Sequence, residues 1–201
     1  HPVEKQAARR AMGFSPDWKI FGFMGFVHFD LELVLKSFAR IYRAHPEARL
    51  LLAGKPSPLV GQWARREKME TAILDQGIVP YAQLPGVFGC ADVFLLPFAR
   101  KQANIGRWPN KVGDYMAMGR PIVTSPVGEM EPLFRSEPMG RLAADNPEAF
   151  AEAAWSLAAD AQACKRMGQA ARAAAEARYS WEFFADKLHF FYQRVLERKQ
   201  S

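Results

Sequence analysis

Short apolar runs alternate along the chain with segments whose apolar residues recur at helical spacing. The apolar runs predict five buried strands, at residues 19–25, 49–54, 78–79, 92–98 and 121–125. Strands that alternate with helices through short links are typical of parallel strands joined by crossover helices. Because the runs are apolar throughout, both faces of the sheet should be covered. We therefore expect an α/β fold, a Rossmann-like doubly wound parallel sheet with extra C-terminal helices.

The helices between these strands have recognisable starts and ends. Asp30 can cap a helix that ends before Pro46, since proline disfavours helical backbone in the residue before it. Its apolar face comprises Leu31, Val34, Leu35, Phe38, Ile41 and Tyr42. A charged helix is predicted over 59–76 and a small one over 83–90. A further helix starts near Pro109 and ends at Gly119, which suits a left-handed C-cap.

The last third of the chain predicts two kinds of helix. An Ala-rich part begins at Asn146, where a capping residue, a proline and an acid follow one another. Ser180 can cap a final helix with one apolar stripe, made of Trp181, Phe184, Leu188, Phe191 and Val195. We expect this stripe to pack on the sheet or on another domain. A lipid-facing surface is the alternative.

Charge and composition narrow the possible partners. The net charge is +6 in 201 residues, which raises nucleic acid, anionic lipid and phosphate ligands as partners. The basic residues are scattered, however, and no nucleic-acid motif is present, so nucleic acid is not expected as a partner. Cys90 and Cys164 lie far apart, which fits a reducing compartment. We expect a cytoplasmic location, with attachment to the inner face of the membrane as the alternative.

The chain contains no recognisable metal motif. Its four histidines are isolated in sequence, and neither a Walker loop nor a Ser-His-Asp order is found. We therefore expect no metal and no cofactor. Residues 1–17 read as a helix and linker from a missing N-terminal domain, 18–180 as one Rossmann-like domain, and 181–201 as the C-terminal helix.

Three segments, in this order, resemble the C-terminal, nucleotide-sugar-binding domain of retaining GT-B glycosyltransferases of family 4. They are FGFMGFVHFDLELVLKSFARIYRAHPEARLLLAGKP, GIVPYAQLPGVFGCADVFLLPF and NKVGDYMAMGRPIVTSPVGE. The resemblance covers nearly the whole chain from about Phe14. It implies that the helix after Pro109 points its amino end at the diphosphate of the donor. Bare amides and the helix dipole favour an anion there.

The same resemblance implies a set of donor-binding residues. Asp114 matches the acid that binds the ribose hydroxyls. The family usually has a second acid eight positions earlier, where Gly106 stands, and an Arg and a Lys in the loop FVHFD, where neither is present. NIGRWPNK is similar to a family variant, and we expect Arg107 and Lys111 to neutralise the phosphates instead. The remaining candidates are Gly25, His28, Lys55 and Val79.

The implied function is a glycosyltransferase donor domain that transfers a sugar from a nucleoside-diphosphate sugar with retention. The acceptor half would precede His1, and the isolated domain should turn over slowly. No catalytic residue is assigned. The missing acid and loop bases leave an alternative, a non-catalytic module that binds a nucleotide sugar or a partner.

Overall fold

The computed structural model describes residues 3–25 and 28–200, and side chains at 28, 29, 199 and 200 are left aside. Its centre is a six-stranded parallel sheet in the order β3-β2-β1-β4-β5-β6. The strands are β1 (Lys19–Met24), β2 (Ala48–Ala53), β3 (Ile73–Asp75), β4 (Val93–Leu96), β5 (Ile122–Thr124) and β6 (Gly140–Leu142). The predicted doubly wound parallel α/β fold is confirmed.

Helices cover both faces of the sheet. In chain order they are α1 (Lys5–Met12), α2 (His28–Ala44), α3 (Pro58–Arg66), α4 (Leu84–Phe88), α5 (Gln102–Ile105), α6 (Asn110–Ala117), α7 (Met130–Ser136), α8 (Pro147–Ala159), α9 (Ala161–Arg178) and α10 (Trp181–Gln200). One apolar cluster lies between the sheet and helices α2 and α8, and a second lies between the sheet and helices α6 and α9. The strands are therefore buried on both sides, as their unbroken apolar runs predict.

The third strand lies elsewhere than predicted. Residues 78–79 form no strand, and Ile78 is 76% exposed. The strand is instead β3, inside the segment that the charge pattern predicted as helix 59–76. Helix α3 ends at Arg66 because Lys68 takes a left-handed conformation with φ 54°, and the N–H of Met69 donates back to the Ala64 carbonyl. A lysine in this conformation is uncommon, so the residue types in this segment do not predict that the helix ends here.

Three helix N-caps were predicted from the sequence, and the structure confirms two of them. The Asn146 side chain accepts from the N–H of Ala149 (2.9 Å), and the Ser180 hydroxyl accepts from the N–H of Phe183 (3.1 Å), as predicted. The Asp30 prediction is wrong. Helix α2 already begins at His28, and Asp30 lies buried in its first turn. Its carboxylate therefore has another role, which the site geometry explains below.

The N-terminal segment contains the predicted helix, α1, which packs at the amino ends of the central strands. The Arg9 side chain is buried and donates to the carbonyls of Cys90 (3.0 Å) and Pro16 (2.8 Å) and to Asp92 Oδ2 (2.7 Å). Asp92 also accepts from Lys5 Nζ and from the N–H of Ile20. These bonds join α1 to the amino ends of β1 and β4.

The apolar stripe of α10 is not buried against the sheet. Its members are exposed by 88% at Trp181, 46% at Phe184, 52% at Leu188, 59% at Phe191 and 36% at Val195. The prediction that this stripe packs on the sheet is therefore wrong, and packing on another domain stays a prediction. Within the described residues, no helix combines the length and apolarity that crossing a membrane requires.

Candidate functional site

The amino end of α6 lies where β1 and β4 end. In open parallel sheets, ligands bind in the crevice outside the carboxyl ends of the strands. The N-cap residue is Pro109, which offers no side-chain hydrogen bond to the first amides of the helix. The N-terminal N–H groups of α6 therefore have no side-chain cap, and the positive end of its dipole lies at the crevice.

Two cavities flank α6, one at its amino end and one along its second half. The first, of about 210 Å³, includes Phe23, Asp30, Phe98, Arg107 and Lys111 in its lining, and we name it the Arg107 cavity. The second, of about 220 Å³, includes Met24, Tyr81, Leu84, Phe88, Asp114 and Met118, and we name it the Asp114 cavity. The Arg107 cavity thus holds two cations with the Asp30 carboxylate, and the Asp114 cavity holds a carboxylate with Arg172 also in its lining.

Lys111 is held tightly at the bottom of the Arg107 cavity. Its Nζ donates to the Gly25 carbonyl at 2.6 Å and lies 4.7 Å from the centroid of the Phe23 ring. Burial lowers the pKa of Lys111 to about 8, and the nearby Arg107 charge adds to this, whereas Asp30 opposes it. The ammonium is therefore charged at neutral pH but close to losing its proton.

Arg107 is held in position by Asn104 and Phe98. Asn104 Oδ1 accepts from its Nε (3.1 Å) and from a terminal nitrogen (2.7 Å), and Asn104 is itself fixed by donating to the Ala99 carbonyl. The guanidinium also lies 4.9 Å from the centroid of the Phe98 ring. With 38% of its side chain exposed, it can still reach an anion in the crevice. Its orientation is thus set before any ligand arrives.

Asp30 is a site residue that the sequence analysis assigned only as a cap. Its carboxylate is buried in the lining of the Arg107 cavity, with Oδ2 3.4 Å from a terminal nitrogen of Arg107. Burial raises the pKa of Asp30, although Ala99, Lys111 and Arg107 oppose the rise. The cavity therefore holds two cations around one carboxylate. This contact joins residues that are 77 positions apart, so no local pattern reveals it.

Asp114 lies one turn beyond Lys111, on the side of the second cavity. The hydroxyl of Tyr81 donates to Asp114 Oδ1 at 3.3 Å. Burial raises the pKa of Asp114, and this hydrogen bond partly offsets the rise. A half-buried carboxylate with free acceptor capacity can bind a pair of hydroxyl groups.

The structure brings together four of the seven predicted donor-binding residues: Gly25, Arg107, Lys111 and Asp114. Glycine suits position 25 for two reasons: its φ of 65° is left-handed, and a Cβ there would lie 3.3 Å from Lys111 Cε. Lys55 is exposed in the turn after β2 and lines neither cavity, and Val79 packs partly against the core instead. The side chain of His28 falls outside the described residues.

Among the described residues, no three His, Cys, Asp or Glu side chains cluster closely enough to hold a metal ion. Bare amides and two cations at the amino end of α6, with a carboxylate one turn further along, suit a ligand that carries phosphates at one end and hydroxyl groups at the other.

Comparison with known proteins places this chain in a family. The chain is 28% identical over 205 residues to a D-inositol 3-phosphate glycosyltransferase of Segniliparus rotundus, covering 97% of this chain and 44% of that protein. It thus spans less than half the length of this relative.

Two solved structures share its fold. The sucrose-phosphate synthase of Thermosynechococcus elongatus superposes with a TM-score of 0.81 at 20% identity, over 98% of this chain and 50% of that one. Anabaena Alr3699/HepE in complex with UDP and glucose gives 0.79 at 15%, over 96% and 53%. The model of the family described as Glycosyl transferases group 1 matches residues 19–160. This chain therefore belongs to the group 1 glycosyltransferase family.

Proposed function

We propose that this chain is the donor-binding half of a glycosyltransferase, which binds a nucleoside-diphosphate sugar and transfers the sugar to an acceptor with retention. The observation that carries the proposal is the uncapped amino end of α6, which lies in the Arg107 cavity beside Arg107 and Lys111, with Asp114 one turn further along the same helix. The diphosphate would bind the amides and cations, and the ribose hydroxyls would bind Asp114. The solved relative with bound UDP makes UDP the first ligand to test.

The altered charges of the crevice support donor binding. The segment FVHFD lacks the bases of the resembled family, but Arg107 and Lys111 place two cations in the Arg107 cavity. A preorganised guanidinium binds phosphate oxygens without paying much further ordering entropy. The cleft therefore keeps the charge that a diphosphate requires.

A non-catalytic binding module is the second candidate function, and Gly106 favours it. Gly106 is exposed after α5 and offers no carboxylate to a sugar at the position where the family usually has an acid. Donor binding is common to both candidates, whereas sugar transfer by the longer protein distinguishes them.

The exposed apolar stripe of α10 is an argument for a second half of the protein that covers it. Five large apolar side chains on one helix face form the kind of surface that proteins cover with a partner. We infer that the acceptor-binding half of the longer protein packs on this stripe and closes the crevice. Charged substitutions at Leu188 and Phe191 should then lower the midpoint of thermal unfolding of the longer protein, while that of the present chain stays unchanged. Equal effects on both would overturn the inference.

The donor proposal is tested by titrating this chain with UDP, GDP, ADP and TDP in a calorimeter. We expect one of them to bind, and uridine or the matching free nucleoside to bind at least about tenfold more weakly, because it lacks the diphosphate. If duplex DNA and nucleotides bind with similar affinity, and both affinities fall steeply as the salt concentration rises, the surface binds anions by charge alone. If no nucleoside diphosphate binds, the proposal fails.

Transfer itself is tested on the longer protein. We expect slow donor hydrolysis by the present chain and faster transfer by the longer protein, since closure of two halves excludes water and aligns the reactants. The anomeric configuration of the product decides whether transfer is retaining. A longer protein that binds donor but transfers nothing would favour the binding module.

The pKa of Lys111 predicts a pH limit for donor binding. Because burial lowers this pKa to about 8, the ammonium loses its charge as the pH rises through about 8, and the affinity for the diphosphate should fall. The loss can reach about tenfold per pH unit while the bound form keeps its proton. Calorimetry between pH 6.5 and 9.5 measures it. In Lys111→Arg the charge persists, so the profile should be flat, and an equal fall in that variant would contradict the assignment.

A further inference from the structure

Tyr81 is an exposed aromatic residue at the mouth of the Asp114 cavity. Its side chain is 78% exposed although it lies in the lining of that cavity. The backbone that carries it is stiff, since Pro80 precedes a single helical turn over Tyr81–Gln83, and the N–H of Gln83 donates to the Pro80 carbonyl (2.9 Å). The position of the ring is therefore set by a short, rigid turn.

The cavity beneath the ring has an apolar floor. Met24, Leu84, Phe88 and Met118 line it. Arg172 also lies in the lining, and the group that Tyr81 contacts is the Asp114 carboxylate. A flat apolar ring above an apolar floor, with one acid at the edge, matches a nucleoside: a planar base joined to a sugar with two hydroxyl groups.

The hydroxyl of Tyr81 occupies an acceptor that the ribose would need. It donates to Asp114 Oδ1 at 3.3 Å, from an element 33 positions away in sequence. The Asp114 charge is the main cause that raises the pKa of Tyr81, so the phenol keeps its proton and can donate it to this hydrogen bond. A ribose hydroxyl that approaches this oxygen from the same direction competes with the phenol for it.

We propose that Tyr81 positions the nucleoside: its ring packs against one face of the base, and its hydroxyl holds the place of a ribose hydroxyl until the donor binds. This inference rests on the proposed function and extends it to the nucleoside subsite. Ring and hydroxyl thus act in opposite directions, since the ring favours binding and the hydroxyl competes with it.

Two substitutions separate these effects. Tyr81→Ala removes the ring, and the nucleoside diphosphate should bind about tenfold more weakly, in line with the loss of one stacking contact. Tyr81→Phe keeps the ring and removes the competing hydrogen bond, so binding should tighten about threefold. Inorganic pyrophosphate, which reaches only the cations and amides, should bind equally to both variants and to the wild type.

The matched control is Tyr192→Ala, which removes an exposed tyrosine on α10. It should change neither affinity. If Tyr81→Ala binds the nucleoside diphosphate like the wild type, or loses pyrophosphate to the same extent, the ring does not contact the base. If Tyr81→Phe binds more weakly than the wild type, the hydroxyl is not a competitor. Failure of the wild type to bind any nucleoside diphosphate would overturn the proposed function, and this inference with it.

Discussion

Asp114→Ala is expected to weaken the binding of a nucleoside diphosphate by at least about hundredfold. The half-buried carboxylate would accept two ribose hydroxyls, and each hydrogen bond to a charged group contributes about 1.5–3 kcal/mol. Alanine removes both and leaves the hydroxyls without partners in the Asp114 cavity. Calorimetric titration of the wild type and the variant measures the difference.

Two comparisons make this result specific. Asp114→Asn keeps one acceptor oxygen and should lose only part of the affinity, whereas inorganic pyrophosphate should bind all forms equally. Asp17→Ala removes an exposed acid before the amino end of β1 and should have no effect. If Asp114→Ala binds nucleoside diphosphates as well as the wild type, the ribose assignment is lost and the Arg107 cavity would have to act alone.

Asp92→Ala is expected to destabilise the fold by about 3–5 kcal/mol, the usual cost of leaving a buried charge without its partner. Arg9 is 2% exposed, and its guanidinium lies 2.7 Å from Asp92 Oδ2, which also accepts from the N–H of Ile20 (2.8 Å). The alanine variant leaves both donors buried and unsatisfied on this side. Urea unfolding at neutral pH, followed by circular dichroism, measures the change.

The control is an exposed ion pair. Lys36 and Glu32 lie one turn apart on α2 with Nζ and Oε1 2.8 Å apart, and Lys36→Ala should cost under about 1 kcal/mol. The double variant Arg9→Met, Asp92→Leu removes both charges and should be more stable than Asp92→Ala alone. A cost for Asp92→Ala no larger than for Lys36→Ala would mean that the buried pair does not hold α1 to the sheet.

The strands show which local signals are reliable. β1, β2, β4 and β5 are found where continuous apolar runs predict them, because a central strand covered on both faces needs apolar residues at every position. β3 and β6 have three residues each and were missed. Each pairs with a strand that an apolar run does predict, β3 with β2 and β6 with β5, and such pairing is a tertiary effect.

The candidate site likewise contains residues that a sequence segment reveals and residues that only the fold brings in. Arg107, Lys111 and Asp114 belong to one continuous segment, so the resemblance of that segment suffices to propose them. Asp30 and Tyr81 reach the same helix end from other parts of the chain. Their contacts arise only when β1, α2 and the turn before α4 converge on α6.

The sequence by itself determined the layer architecture, the main strands and the helix whose amino end meets the crevice, because burial and capping act through neighbouring residues. Only the tertiary structure decided which polar and charged groups contact one another: Asp30 with Arg107, Tyr81 with Asp114, and Arg9 with Asp92. These contacts depend on distances across the fold, where burial strengthens charge interactions and shifts pKa values. It also decided that the stripe of α10 stays uncovered, since an amphipathic pattern predicts a buried face but not the surface that buries it.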